Sequence, residues 1–426
     1  MNVPSPDHAR DFSLEVVRTL KHHGHQALWA GGCVRDMLLG RTPKDFDVAT
    51  DAPPERVREI FGEKRTLAIG ASFGVITVQG GKRRGQIEVA TFREDLGYSD
   101  GRRPDQVRFT SAAEDAKRRD FTINGIFYDP DAEVIYDYVG GQVDLRERLV
   151  RAIGDPNERF AEDKLRMLRA IRFSSTFQFD LEMNTLLAIQ RHARNIAVVS
   201  AERIAVEMRK MICSSRRVDA VLLLRDSWLF QVVLPEIIPI IDHAPRWTET
   251  LRSLHYLPGH DFATGLAALL RYAAARDLET VDPRKPVPML VEICLRWKLT
   301  NDETKDLQWL LRHVDLLRVA KDLPWPRLQR LLIDPRIEKL VNLATAITVA
   351  RSESMEHLEF VRERLQWSAE RLNPQPVATG DDLIRSGLKP GPHFQGLLEA
   401  IRDAQLVGQI GTLDEALEMA RNWRPA

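Results

Sequence analysis

Apolar residues recur with two different spacings along the 426-residue chain. In the first third, Ala27–Ala30 is a short apolar run and Asp45–Ala49 alternates polar with apolar residues; both patterns predict β-strands. Similar runs predict three more strands, at residues 67–69, 75–78 and 87–90. The stretch Glu94–Arg108 has no periodicity and predicts a loop. From Asn157 onward the spacing is almost wholly that of helices, so we predict an α+β fold with a small mixed sheet first.

The composition limits the possible functions only slightly. The chain has 61 basic and 61 acidic residues, so its net charge does not predict a polyanionic partner. Three scattered cysteines form neither a disulfide framework nor a metal-binding cysteine pair. The N-terminal residues lack a basic-then-apolar leader, and no apolar run approaches the roughly 18 residues that a membrane span needs. We therefore expect a cytoplasmic protein without membrane contact.

The stretch Gly31–Val48 carries the first candidate chemistry. If Asp45 and Asp47 lie on one strand, their side chains face the same way, and two adjacent carboxylates are costly unless a cation lies between them. Mg²⁺ is bound in this manner, by one or two carboxylates together with substrate phosphates. Gly31 and Gly32 separate a predicted strand from a predicted helix and leave backbone N–H groups free to meet an anion. The stretch alone predicts a metal ion beside a phosphate.

Two later motifs combine arginine with aspartate. The first reads RRDFTIN at residues 118–124, and the second reads EDKLR at residues 162–166. Arginine donates a planar fork of N–H groups to phosphate oxygens, and aspartate accepts from a ribose hydroxyl. Alone, the first motif is also explained as a basic helix end on the surface that Asp120 caps, and the second as an ordinary ion pair on a helix surface.

Together with GGCVRD at residues 31–36 and DFD at residues 45–47, these motifs resemble the class II tRNA nucleotidyltransferases and bacterial poly(A) polymerases of the polymerase-β-like superfamily. The resemblance is dense in the first half of the chain and loosens from Ser227. It implies a polymerase-β-like nucleotidyltransferase head followed by an all-helical neck, body and tail. We place the catalytic head, the base-reading neck, the body and the RNA-binding tail at residues 1–150, 151–226, 227–372 and 373–426.

The resemblance implies catalytic and metal-binding roles for Asp45 and Asp47, with two Mg²⁺ ions as the cofactor of a two-metal nucleotidyl transfer that releases pyrophosphate. It also makes Glu88 the candidate for a third carboxylate, although an outward-facing strand position explains Glu88 better from its local pattern alone. The residues that we expect to bind the nucleotide are Gly31, Gly32, Arg35, Arg119, Asp120, Asn124, Asp163, Arg166, Arg169 and Arg172.

Asp163 and Arg166 are the implied readers of the base. A carboxylate accepts from the exocyclic amine shared by cytosine and adenine, and arginine donates to the ring acceptor, whereas guanine and uracil present the opposite groups. Glu162 is the less favoured reader, because its side chain should lie roughly 100° round the helix from that of Asp163. The helix that follows Ser200, which includes Arg203, is interpreted as structural support.

The resulting prediction is an enzyme that adds or repairs the 3′-terminal CCA of tRNA from CTP and ATP, without a template and without a stable protein partner. A poly(A) polymerase, or an enzyme that adds only A or only C, shares every motif and remains open. His260-Asp261 suggests an alternative function, that of an HD-type phosphohydrolase. However, Asp261 is also explained as a helix cap, and Arg271-Tyr272 stands where metal-binding relatives would show His-Asp. A non-catalytic RNA-binding module is disfavoured by the intact carboxylates and arginine motifs.

Overall fold

The structure is a computed structural model that describes residues 6–70, 73–81, 84–97, 106–282, 285–391 and 393–423. The chain divides into two compact units, residues 1–238 and 239–426. Each unit has a hydrophobic cluster of its own. Every helix in the described part of the chain falls short of the length and apolar character that a bilayer crossing requires.

The first unit contains both the sheet and a set of helices. Its strands are β1 (Ala27–Ala30), β2 (Asp47–Thr50), β3 (Thr66–Gly70), β4 (Val75–Gln79), β5 (Gln86–Thr91), β6 (Arg93–Leu96), β7 (Gln106–Phe109), β8 (Ile126–Asp129), β9 (Val134–Asp137), β10 (Leu149–Val150) and β11 (Asp180–Leu181). Its helices are α1 (Pro6–His22), α2 (Gly32–Leu38), α3 (Pro54–Phe61), α4 (Ala112–Lys117), α5 (Gly141–Glu147), α6 (Pro156–Glu162), α7 (Leu165–Phe177), α8 (Met183–His192), α9 (Ala201–Ile212), α10 (Arg217–Asp226) and α11 (Phe230–Val233).

Within the described residues, seven strands form the main sheet, in the order β3-β4-β5-β2-β1-β8-β9. β2 and β5 run parallel, and the other neighbouring strands are antiparallel. The parallel register places Asp47 beside Glu88. Apolar residues bury the sheet, and one cluster combines Leu28 of β1 with Phe92 and with Phe127 of β8. The sheet is therefore the rigid platform on which the carboxylates of β2 and β5 stand.

The second unit is helical in its described residues. A short helix, α12 (Ile238–Ile241), spans the division between the units. The later helices are α13 (Ala244–Tyr256), α14 (Phe262–Thr280), α15 (Pro288–Arg296), α16 (Asn301–Leu317), α17 (Trp325–Leu332), α18 (Ile337–Ala350), α19 (Glu356–Leu365), α20 (Ala369–Leu372), α21 (Gly380–Arg385), α22 (His393–Leu406) and α23 (Leu413–Asn422). Threonine caps begin three of them, and Thr300 with Glu303 forms a capping box at the start of α16.

The predicted α+β fold class is confirmed, with four local corrections. The predicted loop at 94–108 is wrong at its ends, because β6 and β7 pair there as an antiparallel ribbon; residues 98–105 lie outside the described residues. β2 begins at Asp47, so Asp45 precedes the strand. The predicted helix across 160–173 is broken, because Asp163 has an extended backbone between α6 and α7. β10 and β11 form a short parallel pair within the predicted helical region.

Candidate active site

A cleft of about 720 Å³ in the first unit collects most of the predicted site residues. All of them except Glu88 are among the residues that line it. The lining also includes three basic residues that the sequence analysis did not assign to the site, Arg118, Arg203 and Lys210. The ring of Phe173 also lines the cleft, and the guanidinium carbons of Arg169 and Arg172 lie over it. Basic side chains in the lining outnumber acidic ones, so the cleft suits a polyanionic ligand.

Gly31 closes one end of the cleft. Its backbone has φ of +70°, a conformation that L side chains rarely adopt, and a Cβ atom here would lie 3.0 Å from Nη1 of Arg119. The absence of a side chain at Gly31 therefore lets the Arg119 guanidinium approach the backbone at the end of β1 closely. Arg119 in turn stacks over the ring of Phe127, with its guanidinium carbon 4.9 Å from the ring centroid.

Asp45 and Asp47 face the cleft together, on the two sides of the buried Phe46. Phe46 packs against Trp29 of β1 with ring centroids 4.8 Å apart, which fixes the chain between the two carboxylates. The surrounding protein displaces water from Asp47 and raises its pKa to about 6, and the charges of Glu88 and Asp45 act in the same direction against that of Arg119.

These carboxylates fit a divalent cation by their chemistry. Hard carboxylate oxygens are suitable ligands, and besides burial, which is the main cause, the negative charges of Glu88 and Asp45 raise the pKa of Asp47 and are charges that a cation would offset. Burial raises the pKa of the Cys33 thiol behind Asp47 to about 11, so this neighbour stays neutral. Among the described residues, however, three His, Cys, Asp or Glu side chains do not come together as a metal site, and Glu88 lies in register with Asp47 without lining the cleft.

Asp120 organises the RRDFTIN motif. One carboxylate oxygen accepts from Nε and Nη2 of Arg169, at 2.8 and 2.6 Å, and the other accepts from Nδ2 of Asn124 at 3.0 Å. Asn124 accepts in turn from Nη1 of Arg35 at 2.6 Å. Burial opposes the ionised form of Asp120, but Arg169 and Asn124 outweigh burial and lower its pKa to about 2. Asp120 therefore holds residues from three parts of the chain around the middle of the cleft.

Asp163 and Arg166, the predicted readers of the base, lie at the break between α6 and α7. Oδ1 of Asp163 accepts from the backbone N–H of Leu165, the first residue of α7, at 3.0 Å. Oδ2 accepts from Nη2 of Arg203 on α9 at 2.9 Å. Arg166 donates to Glu162 at 2.6 Å and to the carbonyl of Arg118 at 3.1 Å. Asp163 and Arg166 are thus fixed by different partners.

Three positively charged residues of the cleft, Lys210 among them, were missed as site residues. Arg118 and Arg203 both line the cleft, although we had interpreted the Arg203 helix as structural support. Their motifs contain the arginines, but nothing in the local pattern tells which side chains turn inward. Arg172, which was predicted, lies farther along α7, where its Nε donates to the buried Glu207 of α9 at 2.5 Å.

The second unit offers no alternative centre at Asp261. Its carboxylate accepts from the backbone N–H of Thr264 at 2.8 Å, which is the predicted helix cap for α14. Nζ of Lys339 lies 2.9 Å from Asp261 and 2.7 Å from Asp306, so an ammonium group already pairs with both carboxylates.

The chain is similar to known proteins over nearly its whole length. A family model described as the poly A polymerase head domain matches residues 27–151, and one described as a probable RNA and SrmB-binding site of polymerase A matches residues 178–241. The chain is 33% identical to the CCA-adding enzyme of Geobacillus kaustophilus, with 93% of each chain covered. It is 31% identical to the CCA-adding enzyme of Levilactobacillus brevis, covering 96% of this chain and 97% of that relative.

The fold gives the same result. A crystal structure of the Bacillus stearothermophilus CCA-adding enzyme in complex with CTP superimposes with a TM-score of 0.76 at 28% identity, covering 99% of this chain and 98% of that one. Sequence similarity over nearly the whole length and this shared architecture assign the protein to one class of nucleotidyltransferase: the chain belongs to the CCA-adding enzyme family.

Proposed function

We propose that the protein transfers CMP and AMP from CTP and ATP to the 3′ end of tRNA that lacks all or part of its terminal CCA. The 3′ oxygen of the RNA forms a bond to the α-phosphorus, the bond to the β-phosphate oxygen breaks, and pyrophosphate leaves. The observation that carries this proposal is that Asp45 and Asp47 share one cleft with Asp163 and Arg166. A reaction centre and a base-reading pair thus line the same cavity.

The triphosphate belongs at the basic end of the cleft, beside Gly31, Gly32 and Arg35. Arg119 adds a guanidinium fork next to Gly31, and such forks match phosphate oxygens. Asp120 and Asn124 lie farther along the same wall, where a carboxylate and an amide can bond to ribose hydroxyls. Their mutual hydrogen bond at 3.0 Å supports a prearranged sugar site.

The base is placed between Asp163 and Arg166. The carboxylate would accept from the amine of cytosine or adenine, and the guanidinium would donate to the ring acceptor. Guanine and uracil offer a carbonyl where Asp163 needs a donor, and two facing acceptors leave a buried polar group unpaired. Selection of C and A therefore needs no template strand.

We propose Mg²⁺ as the cofactor, held by Asp45 and Asp47, with Glu88 as an accessory negative charge on the neighbouring strand. When bound, the metal lowers the pKa of the RNA 3′-hydroxyl and neutralises the leaving pyrophosphate. Divalent metal dependence is general among nucleotidyltransferases of this family. The carboxylates themselves fix where the 3′ end and the α-phosphate must meet.

We assign these functions to the predicted domains: a catalytic head at 1–150, a base-reading neck at 151–226, a body at 227–372 and an RNA-binding tail at 373–426. The match of residues 178–241 to an RNA-binding model supports RNA contacts beyond the head. A cytoplasmic location and the absence of a stable protein partner are part of the same proposal.

Incubation with one nucleotide at a time tests the function. The substrates are tRNA transcripts that end before CCA, after the first C and after the second C. We expect CTP to extend the first two and stop, ATP to extend only the third, and GTP and UTP to give no product. Long A tracts on any transcript would instead identify a poly(A) polymerase, and extension by A alone or C alone would identify a partial enzyme.

A further inference from the structure

Asp115 is a buried carboxylate behind the cleft, and it lies outside the set of residues that the reaction uses directly. It is 1% exposed, on α4, and its two oxygens accept five N–H groups. Oδ1 accepts from Nε and Nη2 of Arg118, at 2.8 and 2.6 Å, and from the backbone N–H of Arg93 at 3.2 Å. Oδ2 accepts from Nε and Nη2 of Arg119, at 3.1 and 3.0 Å.

One carboxylate therefore holds two consecutive arginines that both line the cleft. Free arginine side chains have many rotamers, and ordering them on the nucleotide would cost conformational entropy. Two neighbouring guanidinium groups also repel each other unless an anion lies between them. Burial opposes ionisation of Asp115, but Arg119 and Arg118 outweigh it and hold the pKa of this carboxyl below its usual range. Asp115 is therefore ionised, and its negative charge lies between the guanidinium groups of Arg118 and Arg119.

The contacts of Asp115 reach both ends of the nucleotide site. Through Arg119 they extend to Gly31, where Nη1 would lie 3.0 Å from an added Cβ. Through Arg118 they extend to the base reader, because the backbone carbonyl of Arg118 accepts from Nη2 of Arg166 at 3.1 Å. A displacement of the Arg118 segment would therefore move a partner of the phosphate site and a partner of the base site together.

We propose that Asp115 is a positioning residue for nucleotide binding and selection, acting through the side chains of Arg118 and Arg119. The proposal rests on the function proposed above for this cleft. Asparagine cannot replace the carboxylate, because its Nδ2 donor would face the N–H groups of one arginine whichever way the amide is turned. The Asp115→Asn variant should therefore release one guanidinium and remove the negative charge that the two arginines share, while Arg118 keeps its second ion pair, with Asp95 at 3.6 Å.

The test is steady-state addition of CMP to tRNA lacking CCA by full-length Asp115→Asn, with CTP and tRNA varied separately. We expect the KM for CTP to rise at least about ten-fold with the KM for tRNA unchanged, and the preference for CTP over UTP to fall. Asp129→Asn is the matched control, because Asp129 is also buried and accepts from Lys21 Nζ at 2.6 Å, away from the cleft. The control should lose similar stability without a change in either KM or in the CTP preference.

A second measurement separates positioning from general destabilisation. In an Arg118→Gln/Arg119→Gln background, Asp115→Asn should raise the KM for CTP no further, because the groups through which it acts are gone. Asp115→Glu, which keeps the charge and shifts it by one methylene, serves if Asp115→Asn does not fold, and the same rise in KM is expected. Kinetic constants equal to those of Asp129→Asn, or an additive effect in the double-glutamine background, would overturn the proposal. Failure of the wild-type enzyme to add CMP would instead overturn the proposed function.

Discussion

Arg203 donates a hydrogen bond from Nη2 to Oδ2 of Asp163 at 2.9 Å, which joins α9 to the start of α7. The other oxygen of Asp163 accepts from the N–H of Leu165, the first residue of α7. The carboxylate cannot turn without breaking one of these two hydrogen bonds. The orientation of the Asp163 carboxylate is therefore set in part by a residue from a helix that is distant in sequence.

Loss of Arg203 should weaken base selection. For Arg203→Gln we expect the ratio of kcat/KM for CTP over UTP to fall by about 10-fold, equivalent to about 1.4 kcal/mol, because Asp163 loses the partner that orients it. Single-nucleotide kinetics on tRNA lacking CCA measures the ratio. Arg191→Gln is the control, since Arg191 also donates to a neighbouring helix, at 2.9 Å to Asn157, but does so outside the cleft. An unchanged ratio in Arg203→Gln would show that the hydrogen bond from the N–H of Leu165 is sufficient to orient Asp163.

Removal of a catalytic carboxylate charge should abolish transfer while the nucleotide site persists. For Asp47→Asn we expect kcat to fall by more than about 100-fold, the scale of losing a preorganised electrostatic contact. CTP binding, followed by equilibrium fluorescence or calorimetry, should remain within about three-fold, because the arginine contacts are intact. Asp51→Asn is the control on the same segment, since Asp51 is exposed and accepts from the backbone N–H of Gln26 at 2.9 Å. Normal turnover by Asp47→Asn would exclude this residue from the reaction centre.

Protonation of Asp120 at acid pH should lower the free energy of unfolding. Its pKa in the folded protein is about 2 against an ordinary value of 3.8, so its ionised form stabilises the fold above pH 4, and this contribution is lost as the pH falls from about 4 to about 2. The difference of nearly two pKa units corresponds to about 2 kcal/mol. Chemical unfolding of the wild type and Asp120→Asn should differ by about this amount at pH 6 and converge near pH 2. A difference that is constant with pH would contradict an ionised Asp120 in the fold.

Gly31→Ala should damage the enzyme beyond the cost of backbone strain. The substitution combines a positive φ with a contact to Arg119 at 3.0 Å. Gly24 has a similar φ, +83°, with nothing within 4 Å of an added Cβ, so Gly24→Ala isolates the strain of about 1 kcal/mol. We expect Gly31→Ala to lose more unfolding free energy than Gly24→Ala and to raise the KM for CTP, which Gly24→Ala should leave unchanged. Equal behaviour of the two variants would mean that Arg119 adjusts without cost.

The sequence predicted the parts of this molecule that have a local pattern. Alternation around Asp47 and the apolar run at Ala27–Ala30 predicted strands, and the α+β order followed from the later change of period. The contacts that orient the site have no such pattern. Arg203 and Asp163, which are hydrogen-bonded in the structure, are distant in the chain. The residues around Asp163 have a helical pattern, so the sequence did not reveal the break there, where the Asp163 side chain accepts from the N–H of Leu165.

The types of the functional residues were also easier to predict than their positions in the structure. Paired carboxylates and arginine motifs could be recognised by residue type, but the buried Asp115 behind them resembles any acidic residue near the end of a helix. β6 (REDL) was missed because three of its four residues are charged, and β7 (QVRF) was missed because its alternation covers only four residues next to a stretch without periodicity. Such features depend on which elements pack together, and one sequence does not report that.

Lys339 has a consequence for how the second unit responds to its surroundings. Its ammonium group lies between Asp261 and Asp306 and is covalently part of the chain. A soluble ion at such a position would be lost on chelation, whereas a tethered charge cannot diffuse away. Removal of divalent metal from solution therefore leaves this charge in place, and the start of α14 keeps its ion pair at any metal concentration.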